Sequence, residues 1–212
     1  HHLLATRKSF LTAKRLLTNQ TFRDLYRTDA LDPDQRLKIT SLTFLFTDLK
    51  GSTALYDRVG DLKAYDLVRE HFELLNKIVA AEAGAVVKTI GDAVMATFET
   101  SDRAVSAALK MRDAIRDVGG KPDGDGEGQG EDLLLKIGIH EGPCLAVMLN
   151  ERQDYFGQTV NIASRVQGLA AAQSILATVP VVEHPDAAAL FAREGLKPTS
   201  RQYALRGVAG DL

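Results

Sequence analysis

Two short apolar strands meet across a two-residue turn near the middle of the chain. Val86–Ile90 and Ala93–Phe98 are rich in β-branched and aromatic residues, and only Gly91 and Asp92 lie between them. A connection that short forces antiparallel pairing. Helical patterns flank the hairpin. From Ser52 to Ala83, apolar residues recur at helical spacing (Leu55, Val59, Leu62, Leu67, Val68, Phe72, Leu75, Ile78, Val79), and Ser101–Val118 is a second amphipathic helix with Asp102 in its first turn. Leu42–Thr47 reads as a buried strand ahead of the first helix. Leu133–Glu141 is a strand after the second, Thr159–Ala172 a third helix and Ile175–Thr178 a further strand. This order predicts an α+β fold with a β-α-β-β-α-β core and excludes a doubly wound α/β sheet. No internal repeat is visible.

The length of 212 residues suits one domain with a short extension. Lys and Arg number 26 against 28 Asp and Glu, a net charge of −2, so a protein that coats nucleic acid is not expected. The near balance hides a split. Gly119–Asp132 holds five acidic residues, one lysine and six glycines, a net charge of −4, and has no apolar group with which to offset its ordering entropy. It reads as a flexible acidic loop, because its spacing does not fit a calcium loop. Arg7–Lys38 carries eight basic and four acidic residues. Phe10, Ala13, Leu16 and Leu17, with Phe22 and Leu25 following, give this segment an apolar helical face. Packing on the main domain or on its copy in a dimer, a linker from an upstream regulatory domain, and a membrane-surface helix are the readings it leaves open. Residues 1–38 are thus a helical or linker segment (His1 and His2 resemble a tag remnant), and 39–212 the main domain. One cysteine, no apolar run of the roughly 18 to 20 residues a transmembrane helix needs, and no signal peptide lead to the expectation of a cytoplasmic protein.

Three segments have the residues for chemistry. In Phe46–Thr53 (FTDLKGST) Asp48 ends an apolar strand, and Gly51, Ser52 and Thr53 open a helix. Free N–H groups at a helix start bind phosphate, glycine lets the backbone approach closely, and the adjacent carboxylate can hold Mg²⁺ against that phosphate. The alternative is that Ser52 or Thr53 only caps the helix. Asp92 alone is an ordinary turn residue, but the turn lies beside the end of the first strand in such a unit. Asp48 and Asp92 can therefore converge, as paired Mg²⁺ ions require for phosphoryl or nucleotidyl transfer. Lys88, amid β-branched residues, needs a partner or an open sheet edge. In Asp154–Arg165, Asn161 and Arg165 are four apart and share a helical face, a polar pair suited to ribose and phosphate unless it is merely an exposed face. His140 and Cys144 read as packing residues, with no zinc spacing around them.

Together FTDLKGST, VKTIGDAVMA (Val87–Ala96), LKIGIHEGP (Leu135–Pro143) and DYFGQTVNIASR (Asp154–Arg165) resemble the class III adenylate and guanylate cyclase catalytic domain, in the flavour of bacterial enzymes with a regulatory region upstream. The likeness runs from Ile39 to the C-terminus. It implies a ferredoxin-like palm core and an adenylate cyclase converting ATP to 3′,5′-cyclic AMP and pyrophosphate. It further implies two Mg²⁺ (or Mn²⁺) ions on Asp48, Asp92 and the carbonyl of Leu49, and phosphate contacts from Gly51, Ser52, Thr53 and Lys136. Asn161 and Arg165 would orient ribose and stabilise transition-state charge. Lys88 and Asp154 would read the base: a lysine donates to adenine N1 and an aspartate accepts from its amino group, roles that mismatch guanine. Arg206, in Ala204-Leu205-Arg206-Gly207, stands where the family has a further lysine, and the family usually continues beyond Leu212. The resemblance implies a homodimer with composite sites and an inactive monomer. A cyclase-like module without activity, or one with another base preference such as GTP, is the alternative.

Overall fold

The computed structural model describes residues 11–26, 36–119, 134–149 and 152–205. Two short helices, α1 (Ala13–Leu17) and α2 (Gln20–Leu25), precede the main domain. There follow β1 (Leu37–Lys50), α3 (Ser52–Val59), α4 (Asp61–Ala81), β2 (Ala85–Ile90), β3 (Ala93–Phe98) and α5 (Ser101–Gly119). The chain continues through β4 (Leu134–Leu149), β5 (Arg152–Phe156), α6 (Gln158–Leu169), β6 (Ile175–Ala177), α7 (Val179–Val182) and α8 (Pro185–Arg193). The strands lie in the order β2-β3-β1-β4-β5, with β6 parallel to β4. Pairing of β1, β2, β3 and β4 is antiparallel throughout, which is the ferredoxin-like arrangement expected.

The differences from the sequence reading have local causes. The long helix predicted over 52–83 is two helices, because Gly60 at φ 79° separates them in a backbone conformation that favours glycine. The strand expected to end at Glu141 runs on to Leu149, and Arg152–Phe156 pairs with that extension as a strand the sequence pattern did not indicate. The third helix is shorter than expected, ending at Leu169. The single N-terminal helical face is broken at Thr18 and Asn19, where Asn19 caps α2 by accepting from the Phe22 N–H at 2.9 Å. The acidic loop beyond Gly119 lies outside the described residues.

Alternate residues of the sheet feed two cores. Leu45 and Leu49 of β1, Val94, Ala96 and Phe98 of β3, and Leu135, Ile137 and Ile139 of β4 pack under α4, α5 and α8. Phe44, Phe46 and Met95 point to the other face, where they meet Ile39, Cys144, Ala146 and Tyr155. Those four come from the outer halves of β1 and β4 and from β5. The β1–β4 register slips between Ile39 and Leu42, where Thr40 and Ser41 stand opposite Pro143 alone. Proline has no N–H to give to a ladder, so the bulge falls where a hydrogen bond is already missing. Beyond it the arm folds back over the sheet, and Tyr155 sets its ring edge-on to Phe44 with centroids 5.4 Å apart.

Helix α6 lies along β4 at close range. A Cβ placed on Gly138 would stand 2.1 Å from the backbone nitrogen of Gln167, so only glycine admits the helix there. At its other end Thr159 donates to the Pro143 carbonyl at 2.5 Å. Gly138→Ala is expected to destabilise the fold by about 2 kcal/mol, because backbone must move to make room. Gly168→Ala, in the same helix with open space around it, is expected to be neutral or mildly stabilising. Urea midpoints of the two variants check this, and equal midpoints would refute the close packing.

Candidate active site

The end of β1, the β2–β3 turn and the start of α3 sit at one end of the sheet. Thr47 pairs with Val94, which places Asp48 one residue beyond and Asp92 two residues before a shared register point. Both carboxylates are half-buried, and neither has an ion-pair partner among the described residues. Gly51 adopts φ 93° as the N-cap of α3, and no side chain caps the helix. The N-cap position is thus Gly51, not Ser52 or Thr53. The helix begins with N–H groups free for an anion, and no atom comes within 4 Å of where a Cβ on Gly51 would sit.

Lys136 stands directly across the ladder from Asp48, so their side chains share a face. Among the described residues its Nζ reaches only the Gly168 carbonyl, at 3.5 Å, which leaves it available to an anion. Among the described residues no group of three or more Asp, Glu, His or Cys gathers to form a closed metal cage. Two unpaired carboxylates beside a helix start suit Mg²⁺, which is held by one or two carboxylates and completes its shell with phosphate oxygens and water.

Lys88 and Asp154 lie 66 residues apart, yet the Lys88 Nζ donates to Asp154 Oδ2 at 2.5 Å. Lys88 is on the edge strand β2 and pairs across to Met95, so it projects from the face onto which the β4–β5 arm folds. Asp154 is brought there by that arm. The lysine side chain is 42% exposed and the aspartate 11%, so the pair opens to solvent on the lysine side. Asp154 Oδ1 also accepts from the Tyr155 N–H at 2.8 Å. One residue before Lys88, β2 bulges at Val87, a device that re-aims the side chain that follows.

Asn161 and Arg165 occupy the exposed face of α6, while Thr159, Ile162, Ala163 and Val166 face the protein. Neither polar residue has a hydrogen-bond or ion-pair partner among the described residues. The chain thus gathers Asp48, Asp92 and the α3 start at one place and Lys88 with Asp154 at another, and leaves the Asn161–Arg165 pair facing outward. Arg206 lies outside the described residues. Cys144 is buried, and burial pushes its thiol up to about 12, so it has no thiolate to offer near neutral pH. His140 is buried against the Thr178 hydroxyl at 2.7 Å. Both are packing residues, as the sequence suggested.

Two contacts escaped the sequence reading. Gln20 and Arg23 of α2 reach the backbones of β2 and β5, contacts that span 66 and 130 residues and leave no local signature. His71 of α4 is buried close enough to feel Asp92, and neither ring nitrogen has a partner.

Comparison with known proteins fits this geometry. The family described as Adenylate and Guanylate cyclase catalytic domain matches residues 35–197, and the chain belongs to it. Residues 1–24 match a family of unknown function, DUF5939. The chain is 32% identical over 194 residues to an adenylate cyclase of Mycosarcoma maydis, covering 85% of this chain and 7% of that protein. It is 30% identical to adenylate cyclase 2 of Rhizobium meliloti, covering 75% of this chain and 44% of that one. It therefore spans under half the length of either relative. A human guanylate cyclase soluble subunit beta-2 is 28% identical over 60% of this chain and 21% of its own. In fold it resembles the adenylyl cyclase CyaB of P. aeruginosa, with TM-score 0.66 and 21% identity over 84% of this chain and 92% of that one. No helix among the described residues is long and apolar enough to cross a membrane.

The two buried histidines make stability acid-sensitive. Burial lowers His71 to about 4, with Asp92 opposing, and lowers His140 to about 4, with Glu141 opposing. Each binds its proton more readily unfolded, near 6.5, than folded, so stability is full above about pH 6.5 and falls as pH drops toward 4. The urea midpoint is expected to decline across that window, and His140→Asn to make the decline shallower. A midpoint flat from pH 6.5 to 4 would contradict this.

Proposed function

We propose that the protein is an adenylate cyclase that closes ATP to 3′,5′-cyclic AMP with release of pyrophosphate. The observation that carries this reading is the Lys88–Asp154 pair at 2.5 Å. It sets an N–H donor beside a carboxylate acceptor, the complement of adenine N1 and its amino group. Guanine offers N1–H and O6 at those places, so donor would face donor and acceptor would face acceptor. Relatives named adenylate cyclase, at 32% and 30% identity over 85% and 75% of this chain, agree with this reading.

In this reading Asp48, Asp92 and the Leu49 carbonyl would hold two Mg²⁺ or Mn²⁺ ions. When bound, these would lower the pKa of the 3′-hydroxyl and neutralise charge on the triphosphate. The free N–H groups from Gly51 to Thr53 and the Lys136 ammonium hold the β- and γ-phosphates. The 3′-oxygen attacks the α-phosphorus in line, the bond to the bridging oxygen breaks, and pyrophosphate leaves. Arg165 meets the charge that grows on the α-phosphate, and Asn161 orients the ribose. Arg206 would supply a further cation.

Asn161 and Arg165 point away from their own chain, which supports a homodimer in which each site takes Asp48 and Asp92 from one subunit and Lys88, Asp154, Asn161 and Arg165 from the other. The N-terminal segment is proposed to belong to a regulatory module, consistent with its separate family match at residues 1–24.

Incubation with Mn²⁺ and each of the four nucleoside triphosphates tests the assignment. Cyclic AMP from ATP is expected as the main product. Preference for GTP would overturn the base assignment, and no cyclic product from any nucleotide would overturn the activity. Asp48→Ala and Arg165→Ala are each expected to lose at least about a hundredfold in kcat, the scale of removing one transition-state electrostatic group. Mixed, they are expected to regain up to about a quarter of wild-type activity, because one site of each mixed dimer is whole. Failure of two folded, dimerising variants to complement would count against shared sites.

A further inference from the structure

Lys88 and Asp154 sit on β2 and β5, the two strands at opposite ends of the sheet path. No backbone ladder joins those strands, and one helical turn of α2 bridges them. The Gln20 Oε1 accepts from the Val86 N–H at 2.7 Å, and the Arg23 Nη2 donates to the Gln153 carbonyl at 2.9 Å. The two residues are three apart and so lie on one side of the helix. Each takes hold of backbone immediately upstream of a member of the pair. Val86 precedes the bulge that aims Lys88, and Gln153 precedes Asp154 directly.

The helix is itself held in place. Arg23 lies over the Tyr155 ring with its guanidinium carbon 5.8 Å from the centroid, and the Tyr155 hydroxyl donates to the Leu17 carbonyl at 3.1 Å. Gln20 is steadied by donating its amide to Asp24 at 2.9 Å. Leu17, just ahead of α2, is buried among Phe44, Met95 and Tyr155. The bridge therefore rests on the second core and is not a loosely apposed segment.

We propose that Gln20 and Arg23 are positioning residues for base selection: by gripping β2 at Val86 and β5 at Gln153 they set the spacing of Lys88 and Asp154. Neither touches the nucleotide. The proposal rests on the assignment of Lys88 and Asp154 as base readers. Without the bridge, the polar contact left between the two edges among the described residues is the half-exposed ion pair, which is weak by itself, and the apolar packing of Tyr155 fixes no donor–acceptor spacing. The donor–acceptor spacing that favours adenine then widens, and discrimination against guanine falls with it.

The full chain is assayed as wild type, Gln20→Leu, Gln20→Glu, Arg23→Met and Arg23→Lys, with ATP and GTP each over a concentration series in Mn²⁺. Lys88→Ala and Asp154→Ala run alongside. Gln20→Leu and Arg23→Met are each expected to raise KM for ATP about five- to tenfold with kcat within about twofold, the scale of one lost hydrogen bond. The ratio of kcat/KM for ATP to that for GTP is expected to fall by a similar factor. Gln20→Glu retains an acceptor for the Val86 N–H and Arg23→Lys retains a donor for the Gln153 carbonyl, so both are expected to recover most of the ratio. A ratio unchanged in Gln20→Leu and Arg23→Met, while Lys88→Ala shifts it, overturns the positioning role and leaves the base assignment standing. Loss of kcat alike on both nucleotides, with the ratio constant, marks a packing role only and also overturns it. A ratio unmoved by Lys88→Ala and Asp154→Ala overturns the base assignment and the bridge together. The two contacts lie on different strands, so if one variant does not fold, the other decides.

Discussion

A proline opposite two residues of its partner strand determines the shape of this domain. Pro143 cannot donate to the β1–β4 ladder, and the ladder slips there, at Thr40 and Ser41. Without that break the β1–β4 ribbon would run on past the sheet, and Phe44, Phe46 and Met95 would lose the part of their cover that the arm supplies. With it, the arm turns back and covers them with Cys144, Ala146 and Tyr155. A sheet with one face under helices needs a cover for its other face, and here the folded-back arm shares that cover with α6 and Leu17. Asp154 travels with the arm, so the ion pair with Lys88 depends on the same bend.

The pair is also constrained by solvation. An aspartate with only 11% of its side chain exposed needs partners, and Asp154 has Lys88 on one oxygen and the Tyr155 N–H on the other. Both oxygens are thus satisfied by the protein's own groups. A base entering on the exposed lysine side would meet groups already oriented, and would displace water without rebuilding the protein. That economy of reorganisation is what a selective polar site requires.

The βαββαβ order was legible because each element has its own signal: a short apolar run in Leu42–Thr47, helical spacing from Leu55 to Val79, and a two-residue turn at Gly91-Asp92. That Asp48 and Asp92 can converge follows from topology, since the turn must lie beside the end of the first strand. The ion pair of Lys88 and Asp154 did not follow from pattern. It arises where a folded-back arm meets an edge strand, and no local periodicity encodes a bend caused by one proline and a bulge. The same holds for Gln20 and Arg23, whose partners are backbone groups of Val86 and Gln153 and so leave no side-chain code at the receiving end. The split of the long helix at Gly60 was readable in principle, because a glycine followed by aspartate is a common helix boundary. The continuous apolar spacing on both sides obscured it.

The placement of the polar groups bears on how one chain could assemble a whole site. Asp48, Asp92 and the start of α3 belong to the rigid half of the molecule, where Leu45, Leu49 and Val94 anchor β1 and β3 beneath the helices. Asp154 belongs to the folded-back arm and Lys88 to the edge strand that the arm meets. α6 is locked to β4 by the contact between Gly138 and Gln167, so Asn161 and Arg165 cannot swing inward without breaking that packing. An outward guanidinium and amide held by a locked helix are presented to solvent, open to a second copy as the proposed function requires. A second copy offering Asp48 and Asp92 would bring carboxylates, phosphate-binding N–H groups and the outward cation around one triphosphate. The physical basis of the proposed shared site would then be the close packing of α6: the glycine that admits the helix also fixes its polar face outward, where a second copy could use it.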